Sequence, residues 1–139
     1  MFIDDFVSVE RSILVTNSWL VSHGQEIARA AARATAPTDS LLLGPPRTRT
    51  DTLVVPISWS PRPPSSLAEL QGDLLTSPLD ERSTHLGLSA SCLIPVEPPG
   101  RREQEFAARR NAEHSVRTFL GCLAHELEQR SASGDPSPR

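Results

Sequence analysis

The residues able to do chemistry are few and scattered. His114 and Arg117 lie three positions apart in a segment of helical pattern, so they project from neighbouring turns of one helix. Such a pair could anchor a ligand headgroup or exchange a proton, although the flank of a helix beside a buried stripe holds such residues without any role. Trp59 closes an alternating apolar run; an indole there can roof a pocket and donate its N–H to a ligand, or simply pack at a core rim. The remaining histidines, His23, His85 and His125, form no metal-ligand spacing with cysteine or carboxylate neighbours, so no metal and no other cofactor is expected. Ser89 and Ser91 lack a G-x-S-x-G elbow and a base, and read as the outer face of a strand. Glu69 and Asp73 alternate on a similar outer face. Gly44 and Gly72 stand alone, so there is no glycine-rich phosphate loop. Cys92 and Cys122 both fall on apolar sides and read as small buried hydrophobes; whether they ever pair stays open. This set contains no catalytic constellation, which favours a protein that is not an enzyme.

The elements that position these residues follow from periodicity. Leu67 to Ile94 reads as two strands folded back around a charged turn at Pro78 to Arg82. In the second, Thr84, Leu86, Leu88, Ala90, Cys92 and Ile94 share a face, as a half-buried antiparallel strand requires. In the first, Leu70 and Leu74 oppose Glu69, Gln71 and Asp73, and Gly72 predicts a bend or bulge. Leu53, Val55, Ile57 and Trp59 alternate likewise, with Pro56 pointing to an edge or bulge, and Ser40 to Gly44 is a short strand. Phe2 to Val9 reads as an edge strand whose faces are interrupted by Asp4 and Asp5. Glu10 to Thr35 reads as helix, capped by Ser12 and broken or kinked at His23-Gly24. A long final helix spans Glu103 to Gln129, with Phe106, Ala112, Val116, Phe119, Leu120, Leu123 and Leu127 as its apolar stripe.

One domain over 1–130 fits a chain of 139 residues, and 131–139, which carries no apolar residue except alanine, is expected to be a disordered tail. Aromatic residues make up only 4% with no tyrosine, so Leu, Val, Ile and Ala must fill the core. The formal net charge of −3, with Arg47, Arg49 and Arg62 dispersed in proline-rich loops, speaks against nucleic-acid binding. The acidic start lacks a signal-peptide pattern and no apolar run approaches the ~18 residues a membrane span needs, so a cytoplasmic protein without stable membrane insertion is expected.

The order strand, helical segment, antiparallel strands, long helix resembles the helix-grip fold of the START-like superfamily, the polyketide cyclase/dehydrase and lipid-transport (SRPBCC) proteins. LVVPISW at 53–59, LQGDLLTSPLDERSTHLGLSASCLIP at 70–95 and AEHSVRTFLGCLAHELE at 112–128 are similar to uncharacterised actinobacterial members. The resemblance implies an α+β fold in which a curved antiparallel sheet of five or six strands grips the C-terminal helix, with a hydrophobic cavity between them. It does not imply one chemistry, since its members include carriers, receptors and aromatase/cyclases. The chain departs from them in its short middle strands and in Cys92, where an aromatic residue is common.

The expected function is therefore non-catalytic binding of a small hydrophobic or amphipathic molecule. Trp59, Leu70, Leu74, Leu86, Leu88, Ala90, Val116 and Phe119 are expected to line the cavity, with His114 or Arg117 as polar anchor. The alternatives are a cyclase/dehydratase-like enzyme using the same cavity and an interaction module with a filled core. A homodimer is compatible with each.

Overall fold

A computed structural model describes residues 1–97 and 102–133. Six strands form one antiparallel sheet: β1 Phe2–Ile13, β2 Ser40–Leu43, β3 Arg47–Arg49, β4 Thr52–Ser60, β5 Glu69–Pro78 and β6 Thr84–Pro95. Their order is β1-β6-β5-β4-β2, with β3 pairing β4 beside β2. Helices α1 (Asn17–Ser22) and α2 (Gly24–Arg33) follow β1, and α3 (Arg102–Ser133) closes the chain. The sheet curves around α3, which makes the fold an α+β helix grip.

The expected hairpin forms as β5 and β6, in unbroken register from Glu69↔Leu93 to Pro78↔Thr84. Its turn is held by Asp80, whose Oδ1 accepts the backbone N–H groups of Arg82 and Ser83, each at 2.8 Å. Those donors favour the ionised form and lower the pKa of Asp80. Gly72 is needed for another reason than a bulge. A Cβ there would lie 2.1 Å from the Ser89 carbonyl oxygen and 2.5 Å from Ala90 Cα, so the strands approach too closely for any side chain. Pro56 is explained by the edge. It sits between the register of β2, which ends at Leu43↔Ile57, and that of β3, which begins at Arg47↔Val54. In that gap its carbonyl accepts the Gly44 N–H, at 2.9 Å.

The first helix does not begin at Glu10. Residues Glu10–Ile13 extend β1, and Val7, Val9, Ile13 and Val15 are buried on one face. Pairing with β6 along the whole strand and burial of Val7, Val9 and Ile13 outweigh the weak helical preference of the polar residues between, although Arg11 on the same face is exposed. Ser12 therefore caps nothing; Thr16 does, accepting the Trp19 N–H at 3.2 Å. The break at His23-Gly24 is present, with His23 stacked on Trp19 at 4.7 Å between the two helices.

β1 is an edge strand, and side chains cover its open backbone at both ends. Arg109 of α3 donates to the Asp4 carbonyl and pairs with Asp5 at 3.1 Å; Glu128 accepts the Leu14 N–H at 2.9 Å. The α3 stripe of Ala112, Val116, Phe119, Leu120, Leu123 and Leu127 is buried, joined by Ala124. Phe106 is not part of it and is 62% exposed. It stands six residues before Ala112, about 240° round the helix at about 100° per residue, and lies under the Arg110 guanidinium instead. The helix continues to Ser133, past the expected boundary at 130; residues 134–139, with most of the expected tail, and residues 98–101 lie outside the described residues.

Candidate ligand cleft at the end of the grip

Beneath α3 the concave face of the sheet is occupied. Leu70, Leu74, Leu86, Leu88, Ala90 and Val116, six of the expected cavity residues, are fully buried in one continuous core with the helix stripe and line none of the clefts of the molecule described here. In this structure these side chains, expected to line a cavity, pack in the core. With aliphatic side chains at each step on both sides, the sheet and helix interdigitate to close packing.

Trp59, His114 and Phe119 lie elsewhere, at a cleft of about 500 Å³ where α3 passes the end of α2 and the loops around β4. Trp59 and Phe119 form its floor, stacked with ring centres 5.1 Å apart. Ala34, Ala36, Pro61 and Pro64 add apolar walls; Thr35, Ser65, Ser115 and Thr118 add hydroxyls; Asp39, Arg62 and His114 add ionisable groups. Two contacts hold this surface in shape. Asp39 accepts the Trp59 indole N–H through Oδ2 at 3.1 Å and the Arg62 backbone N–H through Oδ1 at 2.9 Å, joining the α2–β2 connection to the loop after β4. The Ser66 and Ser115 hydroxyls hydrogen-bond each other and fasten that same loop to α3. The Trp59 N–H is thus already satisfied by Asp39 and is not a donor waiting for a ligand.

Arg117 does not join the cleft. It is exposed and pairs with Glu113, 3.5 Å away on the preceding turn. Asp39, Arg62, Ser115 and Thr118 are among the cleft residues that sequence reasoning missed. Thr118 lies one helical turn after His114, and that spacing could have found it. Asp39 carries no local signal, because its partner Trp59 is twenty residues away in sequence.

The other reactive residues lie apart from this cleft. Ser89 and Ser91, with Glu69, occupy the outer face, where Ser8 meets Ser89 at 3.4 Å and Glu69 meets Gln71 at 2.7 Å. Cys92 is buried; burial, then the charge of Asp5, pushes its thiol up to about 11. Cys122 is exposed on α3, which corrects its expected burial, and both thiols are free. Glu26 of α2 is bound by Arg130 at 2.9 Å and Arg29 at 2.7 Å, and the Arg130 hydrogen bond foremost lowers its pKa. Among the described residues no three His, Cys, Asp or Glu converge to hold a metal ion, and no helix is long and apolar enough to cross a membrane.

This architecture is a helix grip, the fold that the START-like resemblance implies. Among solved structures, the chain is similar to the Zhui aromatase/cyclase from Streptomyces sp. R1128, at 14% identity over 96% of this chain and 99% of that one, with a TM-score of 0.57. It is similar to the Mll3558 protein from Rhizobium loti at 14% identity over 91% and 99%, TM-score 0.54. It is also similar to norcoclaurine synthase from Thalictrum flavum at 7% identity over 94% and 99%, TM-score 0.52. No family model matches the sequence, and no curated protein matches it.

Proposed function

We propose that this protein is a non-catalytic binding module for a small amphipathic molecule, held in the cleft floored by Trp59 and Phe119. The observation that carries this reading is the cleft itself. About 500 Å³ lies within the size range of small-molecule sites, and its apolar floor is ringed by hydroxyl, imidazole and guanidinium groups. The fold supports the binding part of this reading, since its structural neighbours include an aromatase/cyclase and norcoclaurine synthase, both of which act on small molecules; the non-catalytic part rests on the ionisable residues. A cyclase- or dehydratase-like activity would need ionisable groups turned inward. Both residues proposed for that role, His114 and Arg117, are exposed.

The test is thermal denaturation with a panel of fatty acids, lysolipids and polycyclic aromatic phenols. At least one class should raise the melting temperature in proportion to the logarithm of its concentration, and Thr118→Trp, which fills the cleft, should abolish the rise. A panel without any shift overturns the reading. A second reading, an interaction module with a filled core, is favoured by the packed interior together with Phe2 and Phe6, exposed on the outer face of the edge strand β1. A dimer in sedimentation that dissociates on Phe6→Ser would support it.

A further inference from the structure

Resting on the cleft reading above, the charges around the site narrow what its ligand carries. Two arginines stand near it and differ. Arg117 faces away and is paired with Glu113. Arg62 lines the cleft, and its guanidinium has neither a hydrogen bond nor an ion pair among the described residues. Only its backbone N–H is engaged, by Asp39. His114, on the opposite wall, is likewise without a partner among the described residues. Asp39 is the one carboxylate of the lining, and both of its oxygens already accept N–H donors, from the indole of Trp59 and the main chain. It is thereby turned toward the scaffold rather than toward a ligand cation. Among the described residues the cleft therefore offers one unpaired cation, the Arg62 guanidinium, beside hydroxyls and an imidazole that can donate or accept, above a floor of two rings walled by alanine and proline; the Asp39 charge beside it is held by the scaffold donors.

We propose that the cleft selects an amphipathic aromatic anion: a flat ring system bearing one oxyanionic group, carboxylate, sulfonate or phosphate alike. The rings lie along the Ala34, Pro61 and Pro64 walls over the Trp59–Phe119 pair. The oxyanion meets the Arg62 guanidinium, whose planar fork matches two oxygens at once. His114 supplies a further ring N–H. A neutral molecule of the same shape keeps the apolar contacts and loses the ionic one.

Two probes of near-identical skeleton separate these contributions: 8-anilinonaphthalene-1-sulfonate and the uncharged N-phenyl-1-naphthylamine. Binding is read from probe fluorescence, and from Trp59 quenching in a Trp19→Phe background. The sulfonate should bind about tenfold more tightly than the neutral amine, the effect of one charge-assisted contact. Arg62→Gln should remove that preference and leave the amine unchanged. Arg117→Gln, which deletes the same charge outside the cleft, should alter neither. If both probes bind equally and Arg62→Gln has no effect, the anion proposal is overturned while the cleft reading stands. If Arg117→Gln weakens the sulfonate as much as Arg62→Gln does, the effect is one of net charge and the proposal is overturned. If neither probe binds, the aromatic-anion proposal is overturned, and the cleft reading is decided by the fatty acids and lysolipids of the thermal panel.

Discussion

One helix, α3, meets two different surfaces, and the contrast explains where a ligand can go. Along Val116, Leu120, Leu123 and Leu127 it meets the aliphatic face of the sheet and the Ile27, Ala30 and Ala31 face of α2, and these residues are buried. Around His114, Ser115 and Thr118 it meets the end of α2 and the proline-bearing loop after β4. Branched aliphatic side chains reach across and interlock. Alanines are too short to do so, and prolines with hydrogen-bonded loop backbone are too constrained to collapse inward. The same fold thus seals one end of its helix and leaves the other as a cleft. Its aromatic floor is the last layer of the core: Trp59 is 8% exposed and touches both regions.

Several experiments would break or sharpen this contrast. The widest difference is in thiol reactivity. Under native conditions an aromatic disulfide reagent should modify Cys122 at once, whereas Cys92, buried and with its thiol raised to about 11, should react only as the molecule opens. Equal rates would mean that the interior is not closed. Next, Leu123→Ala should cost about 2–5 kcal/mol in urea denaturation, and Thr118→Ala on the cleft wall less than about 0.5 kcal/mol. Similar losses would erase the distinction between the two ends. Gly72→Ala should cost about 1–3 kcal/mol by forcing the β5 and β6 backbones apart, and an unchanged midpoint would show that the strands do not approach so closely. Asp39→Ala leaves the buried indole N–H of Trp59 unpaired, at about 1–3 kcal/mol, and should shift Trp59 emission; unaltered emission would show that Asp39 does not hold the floor.

The smallest effect concerns pH at the sealed end. The pKa of Glu26 is lowered from 4.5, so its contribution to stability is present above that value and is lost as pH falls through the lower folded pKa. Glu26→Gln should therefore lower the melting temperature slightly at pH 7, leave it unchanged in acid, and so flatten the decline below about pH 4.5. An identical acid profile in both proteins would rule out Glu26 as a contributor.

Alternation alone placed β4, β5 and β6 and identified their buried faces, because a half-buried strand writes its environment into every second residue. The stripe from Ala112 to Leu127 was equally legible. The extension of β1 through Ile13 was not: its polar residues suit a helix as well, and only pairing with β6 from Glu10↔Gly87 to Ile13↔Thr84 decides the matter. Phe106 was misplaced on the buried face through its identity rather than its angle, since an apolar residue on a helix need not face inward.

Of the candidate site, three residues named from the sequence reach the cleft, Trp59, His114 and Phe119, while Arg62, noticed only as a stray loop cation, joins them there. Local pattern determined which residues would be turned inward and that a sheet would close on a final helix, because periodicity is a property of neighbours along the chain. Whether that interior would be hollow or filled depends on the summed volumes of side chains from three elements. Where an opening would remain depends on loops brought together across Asp39–Trp59 and Ser66–Ser115. Both are long-range quantities, and only the folded arrangement sets them.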